Sequence, residues 1–165
     1  EKGTAVAMGY FDGIHIGHRA VIEGAVQWAK THDAAPAVFT FRLPVENKMK
    51  GKRLLSTEDK HALIASLGVE HYLCPDFEEI KAMTPEQFVL GIIRDCNARA
   101  LFCGENFTFG AKAAGTPELL RQLSGIGTNI NQIAKVANAS GYVRKEDIQS
   151  IMEMQAALWR AVKRG

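Results

Sequence analysis

Thr4-Ala5-Val6-Ala7-Met8 runs directly into Gly9-Tyr10-Phe11-Asp12-Gly13-Ile14-His15-Ile16-Gly17-His18. The first five residues form an apolar run of strand length, and Gly9 and Gly13 supply the turn. From residue 15 to 31, Val21, Ile22, Ala25, Val26 and Ala29 fall on one helical face. The stretch therefore predicts a buried strand, a glycine-bounded loop and an amphipathic helix, with two histidines three residues apart where the helix begins.

The same alternation continues outward from this unit. Pro36-Ala-Val-Phe-Thr-Phe41 predicts a second strand, followed by a polar, Lys-rich loop over residues 46–53. Ser56 with Asp59 signals the start of a helix carrying Ala62, Leu63, Ile64 and Leu67, with Gly68 at its end. Residues 70–74 read as a third strand. Thr84-Pro85-Glu86-Gln87 combines an N-capping Thr, Pro in the first helical position and Gln three residues after the cap, so it opens a helix running to about Asn97. Ala100–Cys103 is a fourth strand. Strands alternating with helices predict an α/β fold with a parallel sheet, and ligands of such sheets bind at the carboxyl ends of the strands. The loops at residues 9–18 and 104–110 both follow strands at that edge.

Beyond Thr116-Pro117-Glu118, which starts another helix, the pattern changes. Leu119, Leu120, Leu123, Ile126, Ile130, Ile133, Ala134 and Ala137 keep helical spacing through Gly125 and Gly127, each a cost of about 1 kcal/mol in a helix. Ser140-Gly141 is a turn, and Ile148, Ile151, Met152, Leu158, Trp159 and Val162 mark one face of a last helix. The expectation is a C-terminal α-helical hairpin with no strand after residue 103.

Composition bounds the function. The chain has 165 residues, 47% hydrophobic and 23% charged, as soluble globular domains do. No apolar run approaches the roughly 18 residues needed to span a bilayer. Glu1-Lys2-Gly3 has neither an apolar signal region nor an initiator Met, which reads as a partial N-terminus of a cytoplasmic protein. Cys74, Cys96 and Cys103 are odd in number, show no Cys-x-x-Cys spacing and read as reduced, non-catalytic thiols. From Ser124 on, six basic residues face three acidic ones, whereas the first 123 residues hold 14 basic and 15 acidic. The excess of positive charge lies in the tail.

His15 and His18 share a helix face. A helix N-terminus offers unpaired N–H groups and partial positive charge to phosphate oxygens, and Gly17 admits close backbone approach. Imidazoles there can donate to an α-phosphate as charge develops in its transition state. On spacing alone the pair reads equally as two structurally hydrogen-bonded histidines; its place between a buried strand and an amphipathic helix favours phosphate binding. A zinc site lacks a second His/Cys pair, so no metal site is expected. In Gly104-Glu105-Asn106-Phe107-Thr108-Phe109-Gly110, aromatics beside an amide suit a flat heterocycle, or else form a core Phe pair in a tight loop.

Gly9 through Arg19 resembles the signature of the adenylyltransferase module of bacterial bifunctional riboflavin kinase/FAD synthetases. Thr40-Phe41-Arg42-Leu43-Pro44, Leu54-Leu55-Ser56 and Gly104 through Gly110 agree with it in order and spacing, so the resemblance covers about residues 3–123. It implies a Rossmann-like sheet of the His-x-Gly-His nucleotidylyltransferase type and an enzyme transferring AMP from Mg-ATP to FMN, giving FAD and pyrophosphate. By position, His15 and His18 would bind the ATP phosphates and stabilise the transition state. Gly9, Phe11, Asp12 and Gly17 would line the ATP pocket. Thr40, Phe41 and Pro44, with Asn106, Phe107 and Phe109, would form the flavin side.

Two departures stand out. Arg42 occupies a place where the family often has an acidic residue. The family also continues with further strands and a Ser/Thr-rich segment ending in an ATP-contacting Arg, and no match to these, or to a riboflavin kinase domain, is read before Gly165. The expectation is thus a truncated nucleotidylyltransferase domain over residues 1–123 followed by the hairpin over residues 124–165. In that hairpin Ile126-Gly-Thr-Asn-Ile-Asn-Gln-Ile-Ala134, Ala137-Asn138 and Leu158-Trp159-Arg160 resemble the C-terminal segment of plasmid mobilisation (relaxosome accessory) proteins. Two functions follow: an FMN adenylyltransferase-like enzyme, impaired by truncation, or a fusion whose tail engages DNA or a relaxase while the front domain is a passenger. A basic excess of three is modest for DNA binding.

Overall fold

The computed structural model describes residues 2–44 and 55–131. In chain order it contains β1 (Thr4–Met8), α1 (Ile16–Thr31), β2 (Ala35–Phe39), α2 (Thr57–Ser66), β3 (His71–Leu73), α3 (Phe77–Ile80), α4 (Pro85–Asp95), β4 (Ala98–Gly104), α5 (Pro117–Ser124) and β5 (Gly127–Asn131). The strands make one sheet in the order β3-β2-β1-β4-β5, and every described pairing is parallel. The predicted α/β, Rossmann-like parallel sheet is what forms.

Local chemistry explains the helix boundaries. Ser56 Oγ accepts from the Asp59 amide and caps α2. Thr84 and Gln87 close a full capping box on α4, the Thr84 hydroxyl accepting from the Gln87 amide and the Gln87 side chain from the Thr84 amide. Thr116 caps α5 through the Leu119 amide. The short helix α3 after Pro75-Asp76 was not anticipated; with only four residues it has too little periodicity to read.

Strand alternation divides the core into two layers. Val6 and Met8 point to one face with Ala37, Phe39, Leu101 and Cys103, against Phe88, Val89 and Ile92 of α4 and Leu120 of α5. Ala5 and Ala7 point to the other with Val38, Ala100 and Phe102, against α1 and Ile64 of α2. Cys96 and Cys103 are buried and Cys74 half-buried, all three free. Burial pushes the Cys96 and Cys103 thiols up to about 11, which suppresses thiolate chemistry.

One expectation is overturned. The helical spacing after Thr116 predicted a helix continuing through Ile126 and Ile130, with no strand beyond residue 103. Instead α5 stops at Ser124, Gly125 takes a left-handed conformation (φ 63°), and residues 127–131 pair with β4 from Ala100↔Gly127 to Gly104↔Asn131. Gly125 is the residue that ends the helix, since a left-handed C-terminal position costs glycine least. Ser124 fixes the turn: its hydroxyl is within 3.4 Å of the Arg121 and Ile126 carbonyls and 3.2 Å from Thr128 Oγ1. The edge of β4 that a truncated sheet would leave open is therefore covered by β5. The first of two compact units is Glu1–Gln132, and it contains β5. The Lys-rich loop at residues 46–53, and the parts of the expected hairpin beyond residue 131, lie outside the described residues.

Candidate active site

The order β3-β2-β1-β4-β5 places β1 between two strands that continue the chain in opposite directions, β2 to one side and β4 to the other. Loops leaving the carboxyl ends of β1 and β4 diverge there and leave a crevice. Both loops singled out from the sequence, after Met8 and after Gly104, leave at this edge.

The loop after β1 is held in an unusual backbone path. Phe11 (φ 52°), Gly13 (φ 79°) and Ile14 (φ 38°) all have positive φ. For Phe11, a bulky non-glycine residue, that conformation is disfavoured and must be maintained by its surroundings. Its ring is 1% exposed and meets the His18 ring edge-on, with centroids 5.3 Å apart at 87°. A Cβ on Gly9 would come within 2.9 Å of that ring, so glycine is needed where the chain leaves β1.

His15 is the N-cap of α1 but makes no side-chain capping bond, which leaves its imidazole available. His18 lies one turn on, its ring stacked on that of His15 with centroids 3.6 Å apart. His18 is pushed down to about 4, first by burial, then by His15 and by the ammonium of Lys60. Burial also lowers His15. Both rings are therefore neutral at pH 7. His18 Nδ1 is buried and has no hydrogen-bond partner.

Beside this loop lies a cleft of about 380 Å³ whose lining includes Gly9, Phe39, Phe41, Phe77, Phe88, Phe107, Phe109 and Gly110. Its volume and aromatic walls suit a flat, drug-sized ligand. Phe41 stacks on Tyr10 (5.1 Å) and faces Phe77 (5.3 Å), while Phe109 stacks on Phe88 (5.2 Å) and Phe107 (5.8 Å). Phe109 is 5% exposed and belongs to the core, and it also lines the cleft with Phe107.

The site residues read from the sequence divide into groups. His15, His18, Gly17, Gly9, Phe11 and Asp12 come together around the β1–α1 loop, with the buried Phe11 ring against Gly9 and edge-on to His18. Phe41, Phe107 and Phe109 line the cleft. Pro44 and Asn106 are exposed and absent from that lining. Thr40 is fully buried and donates to the Tyr10 carbonyl at 2.9 Å. Arg42, in the place of the family's common acidic residue, pairs with Asp76 (2.9 Å) outside the cleft lining.

Sequence reasoning missed Lys60, Tyr10 and Phe77. Lys60 is only 8% exposed, with Nζ bonded to the Tyr10 carbonyl (2.5 Å) and Thr40 Oγ1 (2.8 Å) and lying 4.7 Å from the Tyr10 ring centroid. A signal existed: Lys60 sits one and two turns before Ile64 and Leu67, on the apolar face of α2. Among the described residues no cluster of three potential metal ligands occurs, and no helix is long and apolar enough to cross a membrane.

A parallel sheet with paired neutral histidines at a helix N-terminus, beside an aromatic cleft at the switch point, defines a nucleotidyltransferase-type enzyme. The FAD synthetase family model matches residues 1–147, and the chain belongs to that family, which takes ATP and FMN and gives FAD. It is 31% identical over 121 residues to a protein of Geobacillus thermodenitrificans named, on similarity, a bifunctional riboflavin kinase/FMN adenylyltransferase (73% of this chain, 68% of that one). It is 34% identical over 120 residues to the bifunctional riboflavin kinase/FMN adenylyltransferase of Bacillus subtilis (68% of this chain, 38% of that one). Over 164 residues it is 30% identical to the chloroplastic FAD synthetase 1 of Arabidopsis thaliana (90% of this chain, 44% of that one). The chain thus spans under half the length of the latter two.

Among solved structures, a macrolide-efflux protein from Streptococcus pneumoniae superposes with a TM-score of 0.68 at 22% identity, covering 84% of this chain and 51% of that one. At that identity the likeness is one of fold. The family match and the Arabidopsis alignment both run past Leu123, further than the sequence signatures suggested. The resemblance of residues 126–160 to mobilisation proteins finds no support in these comparisons.

Proposed function

We propose that this chain transfers AMP from Mg-ATP to FMN, with His15 and His18 at the triphosphate and the Phe41/Phe107/Phe109 cleft on the isoalloxazine. The observation that carries this is a shared residue: Gly9 lines the aromatic cleft and also opens the loop that ends in the histidine pair. A flavin seated in the cleft would have its ribityl phosphate directed to phosphates at the α1 N-terminus.

In this reaction an FMN phosphate oxygen attacks the α-phosphorus of ATP. The new P–O bond forms as the α–β bridge breaks, and pyrophosphate leaves with the electron pair. The nucleophile is already ionised, so no general base is required, and catalysis is positioning plus charge stabilisation. Neutral imidazole has one N–H. A buried, unpartnered N–H is rarer than a buried lone pair, so the Nε2–H tautomer of His18 is favoured, with Nε2 as donor to the developing charge. Magnesium belongs to the substrate. Asp12 supplies one carboxylate near Lys60, which fits a cation held chiefly by phosphate oxygens.

The parallel pairing of β5 and the family match to residue 147 support a front domain longer than residues 1–123. The test is pyrophosphate release in the presence of Mg-ATP and FMN, with each substrate omitted in turn. Release that requires both supports the reading; none from folded protein, together with no quenching of FMN fluorescence, removes it.

A further inference from the structure

We infer that Lys60 and Thr40 are positioning residues, a two-donor clasp on the Tyr10 carbonyl that sets the β1–α1 loop and, through it, His18. The inference rests on the adenylyl-transfer reading above and assigns that reaction two residues that act through the loop.

Three elements meet at one oxygen. The Tyr10 carbonyl accepts from Lys60 Nζ of α2 at 2.5 Å and from Thr40 Oγ1, just past β2, at 2.9 Å. Lys60 Nζ also donates to Thr40 Oγ1 at 2.8 Å, which closes the triangle. Tyr10 immediately precedes Phe11, the residue in the disfavoured φ 52° conformation, and the Phe11 ring supports His18 edge-on. Fixing the carbonyl of residue 10 fixes the peptide plane that leads into that conformation. On its other side the Tyr10 ring stacks on Phe41 of the aromatic cleft. One clasp thus ties the phosphate loop to the wall of the flavin cleft.

A buried ammonium is a poor choice for stability alone. Removing it from water is costly. Its use here is intelligible if a particular loop geometry is what it provides. A Lys60→Met variant keeps the stem and its packing, and the Thr40 hydroxyl still satisfies the Tyr10 carbonyl.

The experiment compares Lys60→Met, Thr40→Val, Thr40→Ser and the Lys60→Met/Thr40→Val double variant in the full chain. Thermal stability, the kinetics of pyrophosphate release and the ring-proton resonances of His18 are measured for each. The melting temperature of each variant establishes that it is folded under the assay conditions. The kcat of Lys60→Met should fall at least ~10-fold with KM for ATP unchanged, as expected when a group is displaced only in the transition state. Thr40→Ser, which keeps the hydroxyl, should retain turnover that Thr40→Val loses. Because both residues act through one carbonyl, the double variant should be no worse than the worse single one. The His18 resonances should move in Thr40→Val, which alters no charge, while those of His32 at the far end of α1 stay put.

Parental kcat in folded Lys60→Met and Thr40→Val, losses that multiply in the double variant, or an unmoved His18 would overturn the clasp. If the parent chain itself releases no pyrophosphate from ATP and FMN, it is the adenylyl-transfer reading that fails. The clasp then stands or falls on the His18 resonances.

Discussion

The imidazoles of His15 and His18 lie face over face, with centroids 3.6 Å apart and planes inclined by 24°. Two protonated rings at that separation would repel, and burial disfavours each charge separately, so the stack is stable as a neutral pair. In the proposed adenylyl transfer the pair would offer hydrogen-bond donors to a phosphate chain without fixed positive charge, which would hold pyrophosphate after the transfer.

A pH dependence follows from His18. Its ordinary value is 6.5 and the folded value is about 4, so between these the unfolded chain binds a proton that the folded chain does not. Stability is then greatest above pH 6.5 and declines as pH falls toward about 4, below which this contribution is flat. His15 adds a change of the same sign. Urea midpoints measured from pH 8 to pH 4 should fall, and His18→Gln should flatten the slope across that window. An equally steep slope in His18→Gln would exclude His18 as its source.

Replacing either histidine by Ala should lower adenylyl transfer by ~2–3 kcal/mol, about a hundredfold. The stability effects should differ. His15 is more open to solvent than His18 and makes no side-chain cap, so His15→Ala should lower the melting temperature less than His18→Ala. His18→Ala removes the edge-on partner of Phe11 and should cost about 1 kcal/mol. Single-turnover rates beside denaturation curves separate the two effects.

Much of this site is legible in the sequence because it is local. The first strand, its glycine-bounded turn, the histidine pair and the capping box at Thr84-Gln87 each fall within a few residues. What escapes reading is built from distant chain. The bonds of Thr40 and Lys60 to Tyr10 span 30 and 50 positions, and no local pattern separates a buried donor from a ligand contact. The family resemblance puts Thr40 on the flavin side with its neighbours in sequence, and the bond of its hydroxyl to the Tyr10 carbonyl is not readable there. Strand β5 escapes for a second reason: Gly-Thr-Asn-Ile-Asn has little β-pattern of its own, and pairing with β4 specifies it.

The aromatic cleft yields a binding prediction. Phe107 and Phe77 are half-buried and line it, whereas Phe109 and Phe88 are core residues whose loss would also unsettle the fold. Phe107→Ala and Phe77→Ala should each weaken FMN binding by roughly tenfold, on the scale of one aromatic contact. Fluorescence quenching titrations of folded variants provide the measurement. Unchanged affinity in both would move the flavin out of this cleft.

The last prediction concerns Gly125 and turns on the sign of an effect. If residues 117–137 were one continuous helix, as their spacing suggests, Gly125→Ala would remove a helix-interior glycine and stabilise the chain by about 1 kcal/mol. The structure puts Gly125 at φ 63°, ending α5 before β5 begins, and a side chain there is strained. A Cβ at this position would meet nothing within 4 Å, so any penalty is one of backbone conformation, free of steric overlap. Gly125→Ala should therefore destabilise by about 1 kcal/mol. Gly127 provides the control: it opens β5, has no positive φ and also has open space around a Cβ. Gly127→Ala should be neutral or slightly stabilising, because alanine has less unfolded-state entropy to lose. A continuous helix requires both substitutions to stabilise, whereas the turn into β5 requires Gly125→Ala alone to destabilise. Urea denaturation of the two variants beside the parent decides between them, and stabilisation by Gly125→Ala would remove β5 from the sheet.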